Sequence, residues 1–322
     1  MNTPITPEQG AALLDRVRQS VATRVVGQEA TVANVLVAFL ARGHVLVEGV
    51  PGTAKTLLVR SLAASLGLRF ARIQFTPDLM PSDVTGVNVL RDPARGFEFQ
   101  PGPVFTDLLL GDEINRAPAK TQAALLEAMA ERQVTVDGVS RSLGDLFTVF
   151  ATQNPVEHEG TYPLPEAQLD RFLIKAVMPY PSREAELELL ARYEGGFDAE
   201  RLDDTRMPAA LAADEVTSLR ALVDGVRVSA DVRAYVADIT RSTRDERMLS
   251  LGASPRATVS LFRAARAVAV LEGRDFATPD DVKGIAPGVL RHRIALSPEL
   301  EVEGRTPDDV LAALLDRVRV PE

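Results

Sequence analysis

The sequence contains no cysteine and no tryptophan, and only three of its 322 residues are histidine. The absence of cysteine excludes disulfides, thiolate catalysis and zinc sites built on cysteine. The histidines, His44, His158 and His292, are scattered and form no ligand pair at helical spacing. Covalent cross-links and zinc centres are therefore not expected to stabilise this chain.

Long hydrophobic runs are also missing. No apolar stretch reaches the ~20 residues that a helix needs to span a bilayer, so no membrane span is predicted. The N-terminus, MNTPITPEQG, lacks a basic region followed by an apolar run, and no signal peptide is expected. These two observations favour a cytoplasmic protein.

Positive charge is scarce, with 36 lysines and arginines against 45 acidic residues and a net charge of -9. This balance argues against a bulk electrostatic grip on nucleic acid. Hydrophobic residues make up 46% and charged residues 25%, which is ordinary for a globular protein. A chain of this length favours two domains over one.

The order of hydrophobic patterns predicts an α/β domain followed by an all-helical domain. Strand-like apolar runs at 43–48, 69–74, 108–113, 147–152 and 172–177 are separated by helical patterns. From Ser182 onward, helical spacing dominates. We therefore predict an α/β core over 1–194 and a helical domain over 195–322, joined by a pattern-poor linker at 195–208.

Two hairpins are expected to interrupt the core. Between closely spaced prolines, Gly86–Leu90 and Gly96–Gln100 are predicted to form strands of an insertion at about 82–103. A second insertion, at about 133–144, contains Asp137-Gly138, a strong two-residue hairpin signal.

The most informative segment is the glycine-rich turn between the first strand and the following helix. Backbone N–H groups of such a loop can surround phosphate oxygens, and the helix adds its positive end. Lys55 supplies a cation for the β- and γ-phosphates, and the Thr56 hydroxyl is placed to ligate magnesium. The predicted nucleotide-binding residues here are Gly49, Pro51, Gly52, Thr53, Ala54, Lys55, Thr56 and Leu57.

Ala54 departs from the general phosphate-loop pattern, because a glycine is expected there. Alanine leaves room for a phosphate but disfavours positive φ, so we expect an ordinary backbone conformation at this position. The alternative for the whole segment is a simple glycine turn between strand and helix.

Polar residues end the next buried strands. Asp112 is placed to bind magnesium, and Glu113 to activate the attacking water. Asn154 can orient that water or contact the γ-phosphate, since ligands gather at the carboxyl ends of parallel strands. The alternatives are acids that serve solubility and an asparagine that caps the turn before Pro155. ATP and Mg²⁺ are the expected ligands.

These residues resemble the MoxR branch of the AAA+ ATPases. The similarity is dense from Arg24 to about Val177 and thinner over the helical remainder. The segments that carry it are 26–28, 49–56, 102–105, 112–118, 121–129, 151–155 and 169–172. In this branch alanine at position 54 is usual, whereas Gly111 stands where alanine is expected. The resemblance implies an AAA+ parallel-sheet core with a helical lid domain.

The resemblance also implies a ring, usually a hexamer, with ATP at each subunit interface. It identifies Arg171 as the arginine finger, Arg256 as the second-sensor arginine, and Val26 and Gly27 as the turn against adenine. From the residues alone, Arg171 would be expected to form a surface ion pair with a neighbouring acid. Arg256 would be expected to be one of many solvated arginines. Because Arg256 follows a predicted helix start, a compensating anion is expected near it.

Three functions remain open from sequence. The first is an ATP-driven remodelling chaperone acting on a protein client, with a von Willebrand factor A (VWA) domain partner and a role in metal or cofactor insertion, as MoxR resemblance implies. The second is a nucleic-acid motor of the same superfamily, which the net negative charge disfavours. The third is a nucleotide-gated binding module with little turnover, disfavoured by the presence of Glu113, Asn154 and Arg171.

Overall fold

A computed structural model describes residues 5–92, 96–154, 162–199, 207 and 209–321. The turn of the first predicted hairpin at 93–95, Pro155, His158 and most of the predicted linker at 195–208 therefore lie outside the described residues. The strands are β1 (His44–Gly49), β2 (Phe70–Gln74), β3 (Gly86–Asp92), β4 (Gly96–Pro101), β5 (Leu108–Asp112), β6 (Gln133–Val136), β7 (Val139–Ser142), β8 (Thr148–Gln153), β9 (Phe172–Met178), β10 (Leu249–Leu251) and β11 (Ala295–Leu296).

The helices are distributed along the whole chain, and the last ones follow one another with only short strands between. They are α1 (Pro7–Ala22), α2 (Glu29–Leu40), α3 (Lys55–Ser65), α4 (Pro81–Thr85), α5 (Ala119–Glu131), α6 (Glu166–Leu169), α7 (Arg183–Glu194), α8 (Ala213–Gly225), α9 (Ala230–Ser242), α10 (Pro255–Leu271), α11 (Pro279–Leu290), α12 (Pro298–Val302) and α13 (Pro307–Arg317). A 3₁₀ turn at Ile114–Arg116 follows β5.

Five parallel strands form the central sheet in the order β2-β5-β8-β1-β9. The three inner strands are almost continuously buried, as expected when helices cover both faces of a parallel sheet. β2 is an edge strand and is more exposed. The predicted α/β class with a parallel sheet is confirmed.

Alternate residues of each inner strand pack on opposite faces of the sheet. Val45 and Val47 of β1 belong to a cluster with α1, α2, α3 and the C-terminal helices, whereas Leu46 belongs to a second cluster with α5. The side-chain period of two in a strand produces this division. The sheet is thereby fixed between two helical layers, and its carboxyl edge is left for the loops.

The C-terminal helices pack on the same face as α1 and α2. Val232 of α9, Leu261 of α10 and Val289 of α11 share one hydrophobic cluster with Val45 of the sheet. The helical lid is thus joined to the core through an extended apolar contact. The boundary between 194 and 195 stays a prediction.

Both hairpins expected from sequence are present, and they contact each other. β3 pairs antiparallel with β4, and β6 with β7. Asp137 and Gly138 both have positive φ, as the Asp-Gly signal requires for a type I′ turn. The Asn88 amide donates to Asp137 Oδ2 at 2.6 Å, and the Arg141 guanidinium lies 3.8 Å from the centre of the Phe99 ring. The two insertions therefore form one joined surface.

Some elements were not predicted from sequence, notably α13 and the small β10–β11 sheet. The signal for α13 is present, since Thr306 caps the helix with Asp309 in a reciprocal capping box and Pro307 occupies its first turn. The pairing of β10 with β11 joins segments far apart in the chain and has no local signal. No helix in the described part of the chain combines the length and apolar character that crossing a bilayer requires.

His44 makes the fold sensitive to acid. Its ring is buried at the start of β1, where Nε2 lies 3.1 Å from the Met129 carbonyl oxygen and Nδ1 accepts from Val149 N at 2.9 Å. Burial, with a contribution from nearby arginines, lowers the pKa of His44 to about 4. Protonation would remove the acceptor for Val149, so the neutral ring is the form that fits.

We expect stability to fall as the pH drops below about 6.5, because the unfolded histidine then binds a proton that folded His44 does not. Because the pKa of His44 is lower in the folded chain, the free energy of unfolding is highest above about pH 6.5. It decreases by on the order of 3 kcal/mol as the pH falls toward 4. Urea unfolding at pH 7.5 and pH 5 would detect about 2 kcal/mol of this difference. His44→Gln should show a shallower pH dependence, and equal slopes would contradict the assignment.

Candidate functional site

Three neighbouring strands bring the predicted nucleotide-binding residues together. β1 leads into the glycine-rich loop at 49–56, β5 ends at Asp112, and Asn154 follows β8, which lies between them in the sheet. Asp112 and Asn154 are both buried. The carboxyl edge of the sheet thus forms one polar site, as the strand order of a parallel sheet allows.

The glycine-rich loop is closed by its own side chains. Lys55 Nζ donates to the carbonyl oxygens of Gly49 and Val50 at 2.6 and 2.9 Å, and Thr53 Oγ1 donates to Val50 at 2.9 Å. A Cβ on Gly49 would lie 2.8 Å from the Met178 carbonyl oxygen, so only glycine fits there without movement. Lys55 is held at the mouth of the loop, where a phosphate would meet it.

The expectation for Ala54 was wrong. Its backbone is left-handed, with φ 64° and ψ 28°, and it immediately precedes α3. A left-handed turn here redirects the chain into the helix and is sterically unfavourable for alanine by about 1 kcal/mol. The loop therefore keeps the conformation that glycine would favour, at the cost of local strain.

The acidic pair is fixed by a threonine that sequence analysis missed. Thr152 Oγ1 donates to Asp112 Oδ1 at 2.6 Å and accepts from the backbone N–H of Glu113 at 2.9 Å. Glu113 is itself left-handed, with φ 58°, which ends β5 abruptly. One hydroxyl at the end of β8 thus holds the Asp112 carboxylate and the backbone of Glu113.

Thr56 and Asp112 supply the oxygen atoms that magnesium prefers. Thr56 Oγ1 lies 3.4 Å from Asp112 Oδ2. Within the described residues, no group of three or more histidine, cysteine or acidic side chains could hold a metal alone. A magnesium ion here fits only with phosphate and water oxygens completing its shell.

Two side chains of β2, which also escaped sequence analysis, contact the acids. The Arg72 guanidinium pairs with Asp112 at 2.7 Å, and Gln74 Nε2 donates to Glu113 Oε2 at 2.9 Å. Arg116 reaches the same Glu113 oxygen at 3.2 Å. Arg72 and Gln74 are two residues apart and so share one face of the strand. Only the pairing of β2 with β5 shows that these side chains lie next to Asp112 and Glu113.

The glycine at position 111, where alanine is usual in this branch, has a packing explanation. A Cβ there would lie 2.9 Å from the ring of Phe75, which is fully buried. The glycine allows this ring to pack directly against β5.

Val26 and Gly27 lie beside the end of β9, the strand next to β1. Gly27 has φ 69°, and a Cβ on it would lie 2.6 Å from the Cβ of Ala185 in α7. The neighbouring Gln28 Nε2 donates to the Pro179 carbonyl at 3.0 Å. This turn therefore closes against the segment that enters α7, on the same side of the sheet as the glycine-rich loop.

Arg171 and Arg256 do not join this site. Both line a cavity of about 340 Å³ with His44, the first residue of β1. The glycine-rich loop begins at Gly49, the last residue of that strand. A strand of this length separates its ends by roughly 16 Å, so the two predicted catalytic arginines lie at the opposite edge of the sheet from the loop of their own chain.

The cavity is strongly basic. Its lining contains one carboxylate, Asp170, and six arginines, namely Arg42, Arg132, Arg171, Arg256, Arg263 and Arg293. Asp170 accepts from Arg293 Nε at 2.7 Å and from Ser254 Oγ at 3.0 Å. Arg171 instead donates to the carbonyl oxygen of Leu126 at 2.7 Å. The surface ion pair that the residues alone favoured for Arg171 is not among its described contacts.

Arginines that line a cavity with few carboxylates create a binding site for an anion. Burial lowers the pKa of Arg132 and Arg263, and neighbouring arginines lower both further. Burial also lowers the pKa of Arg293 to about 10, against the opposing effect of Asp170. A polyanion bound here would relieve this repulsion between like charges. Arg256 at the start of α10 would gain the compensating charge that its position requires.

Comparison with known proteins shows which family this chain is similar to. A family model for the "ATPase family associated with various cellular activities (AAA)" matches residues 44–174, and an "AAA lid domain" model matches 241–314. Chaperone MoxR1 of Mycobacterium tuberculosis is 41% identical, over 96% of this chain and 82% of its own length. Protein MoxR of Methylorubrum extorquens is 33% identical, over 95% and 94%.

Two further relatives extend the comparison. The uncharacterized protein YeaC of Bacillus subtilis is 48% identical, over 89% of this chain and 88% of its own length. A crystal structure of a protein from Cytophaga hutchinsonii superimposes with a TM-score of 0.89 at 38% identity, covering 98% of this chain and 97% of that one. Both the core and the helical domain therefore have relatives of the same architecture.

Proposed function

The chain belongs to the MoxR family of AAA+ ATPases, and we propose that it hydrolyses ATP at sites shared between adjacent copies in a ring in order to remodel protein clients. The observation that carries this proposal is the separation of Arg171 and Arg256 from the glycine-rich loop of the same chain. A site that needs both sets of residues needs two copies.

One copy contributes the binding half. The loop at 49–56 surrounds the phosphates, Lys55 pairs with the β- and γ-phosphates, and Val26 and Gly27 lie against adenine. Thr56 and Asp112 would hold magnesium, which when bound neutralises charge on the phosphates. Glu113 accepts a proton from the attacking water, and Asn154 orients that water. The Thr152 hydroxyl holds the Asp112 carboxylate and the Glu113 backbone in place.

The neighbouring copy contributes the cationic half. Its arginine-lined cavity receives the γ-phosphate, with Arg171 and Arg256 nearest the transferred group. Fixed positive charge placed at the γ-phosphate stabilises the transition state, an effect worth ~10³ to 10⁵ in turnover where such arginines have been removed. The basic lining and the scarcity of carboxylates support this role.

A mixing experiment tests the shared site. Arg171→Ala should bind ATP normally but hydrolyse it ~10³-fold more slowly, and Glu113→Gln should bind without turnover. In mixed rings, an Arg171→Ala copy with an intact Glu113 would receive Arg171 from a Glu113→Gln neighbour. We therefore expect hydrolysis to reappear when the two inactive variants are combined.

Failure of the two variants to restore hydrolysis to each other would also be informative. If mixed assemblies form and stay as inactive as each variant alone, Arg171 acts within its own chain and the shared site is wrong. Assembly itself is checked by light scattering with ATP present, and an Arg171→Lys variant separates the need for charge from the need for the guanidinium fork.

The joined hairpins offer a surface for the protein client. Phe97 is 73% exposed, and Val87, Leu90 and Val139 are about half exposed on the same pair of hairpins. Exposed apolar side chains fit a polypeptide better than a phosphate backbone, which favours remodelling over a nucleic-acid motor. A VWA-domain protein is the partner we propose, with metal or cofactor insertion as the outcome of remodelling.

Capture of the client should require ATP and the hairpins. The non-hydrolysing Glu113→Gln variant, with and without Phe97→Ser, can be mixed with a purified VWA-domain protein as the candidate client. Retention that needs ATP and Phe97 would support the client surface, whereas retention unaffected by Phe97→Ser would place the client elsewhere.

A further inference from the structure

We propose that Arg72 and magnesium compete for the same oxygen of Asp112, so that Arg72 is a positioning residue that holds both acids until the metal is bound. This inference rests on the roles proposed above for Asp112 and Glu113. The roles proposed above give Arg72 no part. It lies on the edge strand β2, outside the glycine-rich loop and the acidic pair.

The competition follows from how the Asp112 carboxylate is shared. Its Oδ1 accepts from Thr152 at 2.6 Å. Its Oδ2 accepts from Arg72 Nη2 and Nε at 2.7 and 3.2 Å, and is also the oxygen that lies 3.4 Å from Thr56. A metal shared by Thr56 and Asp112 must use Oδ2 or a water bonded to it. Arg72 therefore occupies the side of Asp112 that the metal needs.

Arg72 also connects Asp112 to Glu113. Arg72 Nη2 donates to Gln74 Oε1 at 2.6 Å, and Gln74 Nε2 donates to Glu113 Oε2 at 2.9 Å. With its oxygen bonded to Arg72, the Gln74 amide presents its nitrogen to Glu113. When Arg72 leaves Oδ2, Gln74 loses this constraint on its orientation, while Glu113 Oε2 keeps its contact with Arg116 at 3.2 Å.

Arg72 can leave at little cost. Its side chain is 47% exposed on an edge strand, whereas that of Asp112 is 11% exposed. Exposed ion pairs are weak because water solvates the released guanidinium. The buried carboxylate, in contrast, needs a cation at all times. Exchange of one cation for another keeps Asp112 paired throughout.

The test measures magnesium affinity by binding, without turnover. Calorimetric titration of Mg²⁺ into the complex with a non-hydrolysable ATP analogue, corrected by a titration into the same concentration of free analogue, gives this affinity. Arg72→Met keeps the apolar stem and removes the competing charge, so Mg²⁺ should bind about two- to fivefold more tightly. Arg72→Lys, which keeps the charge but not the fork, should shift the affinity less.

Arg69 provides a matched control. It precedes β2 and pairs with Asp107 at 3.0 Å, just before β5 and away from the site. Arg69→Met should leave Mg²⁺ affinity unchanged. Affinity for the analogue in the presence of EDTA should be the same in wild type and Arg72→Met, because Arg72 is not proposed to contact the phosphates.

Unchanged or weaker Mg²⁺ binding in Arg72→Met would overturn the inference, since weaker binding would mean that Arg72 orients Asp112 for the metal. That result would not contradict the proposed nucleotide site, provided that Lys55→Ala no longer binds the nucleotide. Retained nucleotide binding in Lys55→Ala would instead overturn the proposed site itself. The two failures are therefore distinguishable.

Discussion

The Glu113→Gln variant should bind ATP as tightly as the wild type and hydrolyse it about 10² to 10⁴ times more slowly. The amide has nearly the shape of the carboxylate but cannot accept a proton from water. In the wild-type structure, Gln74 and Arg116 contact Glu113 Oε2 at 2.9 and 3.2 Å. Neither contact involves the phosphate loop. Binding by fluorescent nucleotide and phosphate release under single-turnover conditions would separate the two effects.

An exposed acid outside the site serves as the control for this variant. Glu303→Gln, beyond α12, should leave both binding and turnover unchanged. Wild-type hydrolysis by Glu113→Gln would remove Glu113 from the role of base. A loss of ATP binding in the same variant would mean that Glu113 helps to hold the nucleotide.

The Lys55→Ala variant should lose nucleotide affinity by about 10²-fold or more, because charge-assisted bonds to two phosphates disappear. Lys55 Nζ already lies at the loop, bonded to the Gly49 and Val50 carbonyl oxygens. These neutral acceptors can be exchanged for phosphate oxygens as the nucleotide enters. Equilibrium binding of a fluorescent ATP analogue would measure the loss.

Lys283→Ala removes an exposed lysine that pairs with Asp316 among the C-terminal helices, and its nucleotide affinity should match the wild type. Thermal unfolding of both variants checks that the fold is retained. If Lys55→Ala binds the analogue within a few-fold of the wild type, the loop at 49–56 is not the phosphate site.

In the ring proposed above, a site shared between copies would give sequential action a physical basis. The arginine-lined cavity and the phosphate loop lie at opposite ends of β1 within one subunit. If the proposed interface forms, a phosphate lost there would change the charge that faces the arginines of the neighbouring copy. Since α10 carries Arg256 and packs in the same cluster as β1, such a change can reach the sheet through an apolar contact.

Local chemistry explains what the sequence could predict. The phosphate loop, the inner strands and the Asp137-Gly138 turn depend on residues adjacent in the chain, where spacing and backbone preference act directly. Gly86–Leu90 and Gly96–Gln100 were predicted as strands for the same reason, and the structure extends them to Asp92 and Pro101. The capping signal of α13 was also local but was not used.

Tertiary structure decided which distant side chains meet. Thr152 reaches both acids only because β8 lies beside β5, and Arg72 reaches Asp112 only because β2 pairs with β5 in that register. The left-handed backbone of Ala54 arises because the turn into α3 outweighs the preference of alanine.

The motifs and the family resemblance they carry were enough to predict a P-loop AAA+ core, helical elements after it and acids at the end of a buried strand. Only the tertiary structure placed Arg171 and Arg256 in one cavity away from their own phosphate loop. The physical reason is that periodicity fixes which face of an element is buried, whereas strand order and helix packing fix which residues from distant segments share a site.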